Sequence, residues 1–160
     1  MNYDRLLKEK QENNSLKLFV VLSKAYRSLM EQVEADIQSR GLNLTDFAVL
    51  ELLYHKGAQP LKAIGEKILL TSGSITYVVN KLENKRYLVR IPNHHDRRVT
   101  FAKITDKGAD LLHHIFPGHW ARIAKITSGL NETEKVMAID LLRKLGKSIQ
   151  HVSAVKKSSI

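Results

Sequence analysis

Between Thr71 and Thr105 the chain gathers hydroxyl, amide and guanidinium groups in a pattern suited to gripping and reading a nucleic acid. Thr71, Ser72, Ser74, Thr76, Tyr77, Asn80, Lys81 and Asn84 are short or planar hydrogen-bonding groups with one cation among them, unlike the Glu/Lys mixture of an ordinary solvated helix. Such side chains match the donor and acceptor patterns that base edges present in the DNA major groove. Downstream, Asn93-His94-His95-Asp96-Arg97-Arg98 forms a basic loop. A guanidinium at a loop tip suits the minor groove, where negative potential and phosphates meet. Asp96 has the wrong sign for a DNA contact and is expected to accept hydrogen bonds from Arg98, bracing the loop so that Arg97 projects. The competing account of this loop alone is a solvated basic turn.

The elements that would carry these groups follow from spacing. Ile75, Val78, Val79 and Leu82 recur at i, i+3, i+4 and i+7, which buries one helical face and turns the polar residues outward. Thr71 and Ser72 are candidate N-caps, and with Ser74 they offer hydroxyls and free backbone N–H groups to a phosphate. Leu61 to Ile68 reads as a shorter helix with Leu61, Ile64 and Ile68 inward, joined through Leu69-Leu70: a helix-turn-helix. Leu88-Val89-Arg90-Ile91, a break at Pro92, and Val99 to Ile104 alternate as a two-stranded ribbon.

Leu70-Thr71-Ser72-Gly73-Ser74-Ile75-Thr76, Leu82-Glu83, and Asp96-Arg97-Arg98 followed by Ile104-Thr105-Asp106-Lys107-Gly108 resemble the MarR family of winged-helix transcriptional regulators. The resemblance covers nearly the whole chain. It implies a mainly α fold: a winged helix-turn-helix with a helical dimerisation region built from the N- and C-terminal helices. It also implies a homodimer on a pseudo-palindromic double-stranded operator, usually repressing, and released by a small ligand or by oxidation. Thr71 to Tyr77 further resembles the branch that responds to quinones and hydroquinones. One departure stands out, because many relatives end the recognition helix with Gly where this chain has Asn84-Lys85-Arg86-Tyr87. Either Arg86 accepts about 1 kcal/mol of left-handed strain or the helix ends differently.

The 160 residues divide by role into 1–43 (first helix, dimerisation), 44–105 (DNA-binding lobe) and 106–160 (closing helices, dimerisation). Net charge is +10, and its distribution matters. Residues 1–40 are nearly balanced, whereas 72–103 hold seven Lys/Arg against Glu83 and Asp96. A second excess, Arg143, Lys144, Lys147, Lys156 and Lys157, reads as a basic tail. An anionic polymer is the partner this map favours. No apolar run is long enough for a bilayer, and the N-terminus lacks an apolar signal core, so a cytoplasmic protein without membrane association is expected. There is no cysteine, which removes disulfides, thiolate metal sites and cysteine oxidation as a switch. No phosphate-binding glycine loop or nucleophile elbow is present, so neither an enzyme nor a cofactor is expected.

Leu16, Phe19, Val20, Ser23, Tyr26, Met30, Val33 and Ile37 place a long helix up to Arg40-Gly41, with Leu18, Val21, Leu22 and Leu29 apolar outside that stripe. A partner chain is the simplest cover for so much apolar surface, and an intrachain bundle is the alternative. Leu44-Thr45-Asp46 is expected to cap a helix ending at Lys56-Gly57. Pro117-Gly118 is expected to kink or break the helix that begins after the wing. Asn131 caps the last helix. In the resembling family, effectors bind between the dimerising helices and the DNA-binding lobe, which nominates Phe19, Tyr26 and Phe47, each with plain packing as its alternative. The seven histidines offer no i, i+4 pair, so no metal site is assigned and His94 and His95 read as neighbours of phosphate. Two further readings stand beside the repressor: an architectural or protein-binding winged helix without an effector, and a metal-responsive regulator.

Overall fold

A computed structural model describes residues 13–93, 96 and 98–157. Among them the order is α1 (Asn14–Ser39), α2 (Leu44–Lys56), β1 (Gln59–Pro60), α3 (Leu61–Lys67), α4 (Ser72–Asn84), β2 (Leu88–Pro92), β3 (Thr100–Ile104), α5 (Asp106–Ile126) and α6 (Glu132–Lys157). The fold is mainly helical, a winged helix-turn-helix flanked by long helices. No described helix is long and apolar enough to cross a membrane.

The helix ends follow from local chemistry. Asn13 caps α1 by accepting from the Ser15 and Leu16 N–H groups. Gly41, at φ 84°, closes it where the sequence places the stop, with Gly41 N–H to the Gln38 carbonyl and Leu42 N–H to that of Ile37. Asn43, not the Leu44-Thr45-Asp46 run, caps α2: its Oδ1 accepts from the Asp46 N–H at 2.7 Å. Asp46 is thereby free to turn inward. At the other end of the chain, Asn131 and Glu134 exchange side-chain and backbone hydrogen bonds in a capping box that opens α6.

The core of the winged lobe joins Ile37 of α1, Phe47, Val49, Leu50 and Leu53 of α2, Ile64 of α3, the expected quartet Ile75, Val78, Val79 and Leu82 of α4, and Leu88, Ala102, Leu112, Ile115 and Phe116. The wing is three-stranded, not two-stranded. Its order is β1-β3-β2, with Gln59 opposite Ala102 on one side of β3 and Leu88 opposite Ile104 on the other. A two-residue strand is too short to alternate, so it left no pattern in the sequence. Pro92 does not interrupt β2 but forms its last rung, opposite Thr100. An edge strand tolerates the missing N–H.

The expected break at Pro117-Gly118 is absent, for α5 is one helix of 21 residues with Pro117 inside it. Proline removes one intrahelical hydrogen bond, but Leu112, Ile115, Phe116 and His119 on both sides are buried. Their packing holds the helix together. The described residues up to Ile123 form one compact unit, and the described residues from Ala124 on, carrying α6, form another.

Candidate nucleic-acid interface

Thr71 opens α4 as its N-cap: its Oγ1 accepts from the Ser74 N–H at 3.3 Å and lies 2.8 Å from the Ser74 hydroxyl. The two hydroxyls hold one another at the mouth of the helix, while Ser72 sits exposed in its first turn. Thr76 donates its hydroxyl proton back to the Ser72 carbonyl at 3.0 Å, leaving its methyl and an oxygen lone pair free. Tyr77 is 68% exposed.

At 100° per residue, Asn80 and Glu83 lie on the wing side of the outward face, and Tyr77 and Lys81 on the α2 side. Each side is tied down. Lys81 places its ammonium 2.7 Å from the Asp46 carboxylate, which is almost wholly buried, and 5.8 Å from the centre of the Tyr77 ring. The cation that sequence assigns to DNA therefore also anchors α4 to α2. An open groove of about 440 Å³ runs beside it, lined by Asn43, Thr45, Leu70, Ser74, Tyr77 and Lys81 among others.

On the wing side, Arg90 of β2 reaches back across α4. Its backbone N–H donates to Glu83 Oε1 at 3.0 Å, one guanidinium nitrogen bonds Glu83 Oε2, and the other donates to Asn80 Oδ1 at 2.5 Å. Sequence reasoning missed this brace. Its only trace is Glu83 and Arg90 seven residues apart on either side of a helix end, with Lys85 and Arg86 between them, a spacing that no periodicity marks.

The junction between α4 and the wing settles Arg86. It adopts φ 62°, its N–H donates to the Glu83 carbonyl, and the Tyr87 N–H donates to that of Leu82, the paired bonds of a glycine-type helix end made without glycine. Thr105 donates its hydroxyl to the Arg86 carbonyl at 2.7 Å, and Lys107 Nζ donates to that of Lys85 at 3.0 Å. Gly108 is required here, because a Cβ would come within 2.1 Å of the Tyr87 carbonyl oxygen.

At the loop, Asp96 Oδ1 accepts from the Arg98 backbone N–H at 2.9 Å, and its carbonyl accepts from Val99. Asp96 thus bonds the backbone of Arg98, whose side chain is exposed. Arg97, His94 and His95 lie outside the described residues. The acids of this region are committed: Asp46 to Lys81, Glu83 to Arg90, Asp96 to the turn. What remains outward on and beside α4 is mainly hydroxyl, amide and phenol groups, with Lys85, Arg86 and Arg98 exposed among them.

Residues 42–100 match the MarR family. The chain is also 58% identical over 132 residues to the HTH-type transcriptional regulator MhqR of Bacillus subtilis strain 168, covering 82% of this chain and 91% of that one. The chain belongs to the MarR family. It is a DNA-binding transcriptional regulator. In fold it is similar to a MarR variant of E. coli crystallised with operator DNA (TM-score 0.73, 18% identity, 83% of this chain and 96% of that one). It is likewise similar to Bordetella bronchiseptica BpsR, whose DNA binding is regulated by 6-hydroxynicotinic acid (TM-score 0.72, 24% identity, 81% and 98%).

In this MarR-family chain the three aromatic residues nominated for an effector do not come together. Phe47 is core, 5.1 Å from the His119 ring and 6.4 Å from that of Phe116, whereas Phe19 and Tyr26 are exposed on α1. A different aromatic group assembles instead on α2 and α5. Tyr54 hydrogen-bonds His113 Nε2 at 2.8 Å, and Phe116 stacks on the exposed Trp120 at 5.2 Å. Beside it, His119 Nδ1 and Arg40 both bond the Asp36 carboxylate at 2.8 Å. The Arg40 guanidinium holds the Asp36 carboxyl below its ordinary range, against the opposing effect of burial and with help from His119. These contacts were hidden because Pro117 appeared to sever the helix carrying His113 from the one carrying His119. Among the described residues, no cluster of three or more His, Cys, Asp or Glu could hold a metal ion.

Proposed function

We propose that the chain is a homodimeric repressor that reads a pseudo-palindromic operator with α4, grips the flanking minor groove with the wing, and is released by a small aromatic or phenolic ligand. The observation that carries the dimer is the uncovered apolar surface of the terminal helices. Leu18, Phe19 and Val21 of α1, and Val136, Met137 and Leu141 of α6, are each more than half exposed. Water is a poor cover for such surface, and a second copy buries it while giving two-fold symmetry. Residues 1–43 and 106–160 then serve dimerisation and 44–105 DNA binding. Two recognition helices so related would enter successive major grooves about 34 Å apart.

In this reading Thr71, Ser72 and Ser74 meet a phosphate at the α4 N-terminus, Thr76, Tyr77 and Asn80 face bases, and Lys81, Arg97 and Arg98 meet the backbone or minor groove, with Asp96 as brace. Ligand control draws on the likeness to BpsR, whose DNA binding is regulated by the aromatic 6-hydroxynicotinic acid, and repression on the relation to MdtR, a transcriptional repressor. With no cysteine in the chain, the ligand binds reversibly without a covalent adduct through sulfur.

The test is sedimentation of the full chain followed by gel-shift titration on inverted-repeat DNA, with hydroquinones and other phenols added to the complex. A two-fold mass, one dimer per repeat and release by a phenol are expected. A monomer that binds single half-sites equally well overturns the dimer, and a complex indifferent to every phenol and aromatic acid overturns the ligand class.

A further inference from the structure

Asn80 is the amide nearest the wing on the outward face of α4, and the Arg90 contact decides which of its atoms is left for DNA. A guanidinium has donors only, so the amide must turn its carbonyl oxygen toward Arg90. The 2.5 Å contact between Arg90 and Asn80 Oδ1 is that arrangement. Arg90 is itself fixed, since Glu83 accepts both its backbone N–H and its guanidinium. No described residue accepts from Asn80 Nδ2, and the residue is exposed.

We infer that Asn80 presents DNA with a lone, pre-aimed donor, and that at its position it selects guanine and rejects cytosine instead of making the two-bond asparagine contact to adenine. The inference rests on the proposed base-reading role of α4 and deepens it. The adenine contact needs the amide oxygen to accept from N6–H while Nδ2 donates to N7. Here Arg90 takes one of the oxygen's two lone pairs and its guanidinium stands on the oxygen side of the amide, so a base reaching Oδ1 must compete with it, whereas Nδ2 meets no such competitor. An outward NH2 group fits an edge with two neighbouring acceptors, guanine O6 and N7. Thymine offers a single acceptor, O4, beside its methyl group, adenine sets a donor at N6 next to N7, and cytosine presents nothing but a donor at N4. Arg90, which need not touch a base, is thus a positioning residue for specificity.

The experiment is sequence selection from random duplex DNA with the full chain, repeated with Asn80→Asp and Arg90→Met, with thermal melting of each variant alongside. Asp keeps an oxygen facing Arg90 but replaces the outward donor with an acceptor. One guanine per half-site is expected in the wild type, turning to cytosine in Asn80→Asp with a preference of about tenfold. In Arg90→Met the freed oxygen should move the same position toward adenine, provided melting shows a folded chain. If the position that responds to Asn80→Asp is adenine in the wild type, the lone donor is overturned while the base contact stands. If no position responds although the rest of the site is unchanged, Asn80 reads no base and both fall. If the wild type selects no site at all, the operator-reading proposal itself fails.

Discussion

Arg86 shows how a single residue can carry a strain its sequence announces. Its exposed side chain packs on no core, yet its backbone takes φ 62°, a region that costs a non-glycine residue about 1–2 kcal/mol. Arg86→Gly should therefore raise unfolding free energy by about 0.5–1 kcal/mol after the greater freedom of glycine in the unfolded chain is subtracted. Urea unfolding of the two proteins measures this, and a loss of stability would mean that the Arg86 side chain has a stabilising partner. The sequence exposed the conflict, because glycine is the residue a left-handed helix end wants. It could not resolve it, because the resolution lies in Thr105 and Lys107 binding the Arg86 and Lys85 carbonyls from twenty residues away. Asp36 makes a second residue-scale case. Its folded pKa lies below the ordinary value, so the stability it gives is complete above about pH 4 and is lost as pH falls through the lowered value. Asp36→Asn should cost about 1–3 kcal/mol at neutral pH. It should also flatten the acid limb of a stability–pH curve, and an unchanged limb would contradict the role.

Among the elements, those built on periodicity were legible and those built on tertiary support were not. The α4 stripe Ile75, Val78, Val79 and Leu82 is buried as its spacing requires, and Thr71 caps the helix as expected. By contrast, β1 has no pattern of its own and exists because β3 offers it an edge. The α2 cap was misplaced by one residue, which hid the inward turn of Asp46 toward Lys81. Proline in α5 does not break the helix: local propensity argues for a kink or a break, and burial on both flanks keeps the helix continuous. Pro117 is exposed, so Pro117→Ala should restore an N–H to the His113 carbonyl without disturbing the core. A gain of about 1–2 kcal/mol in unfolding free energy is expected, and thermal melting checks it. A loss would show that α5 depends on a bend at this point. Gly108→Ala is expected to do the opposite at the other end of α5, costing about 1–3 kcal/mol as Tyr87 is pushed away and the wing with it.

For the whole molecule, charge and apolar surface say different things about partners. The +10 net charge is a statement about polyanions, and its concentration over residues 72–103 puts the attraction where the polar face of α4 and the wing lie. The uncovered apolar residues of α1 and α6 are the surface that the proposed second copy would bury. Both features were visible in the sequence as an excess over what one small lobe needs. For the candidate effector residues Phe19, Tyr26 and Phe47 residue type alone was legible, and type does not say that one is core and two are exposed in the single chain. Attraction to phosphate alone would make a nonspecific binder, whereas in the proposed reading the braced amide and aromatic groups of α4 discriminate among bases. Sequence-specific binding is tested by competition of the selected operator against random duplex for the full chain at about 150 mM salt, where nonspecific attraction is weakened. At least about a thousandfold preference for the operator is expected; equal competition by random duplex would show a nonspecific binder.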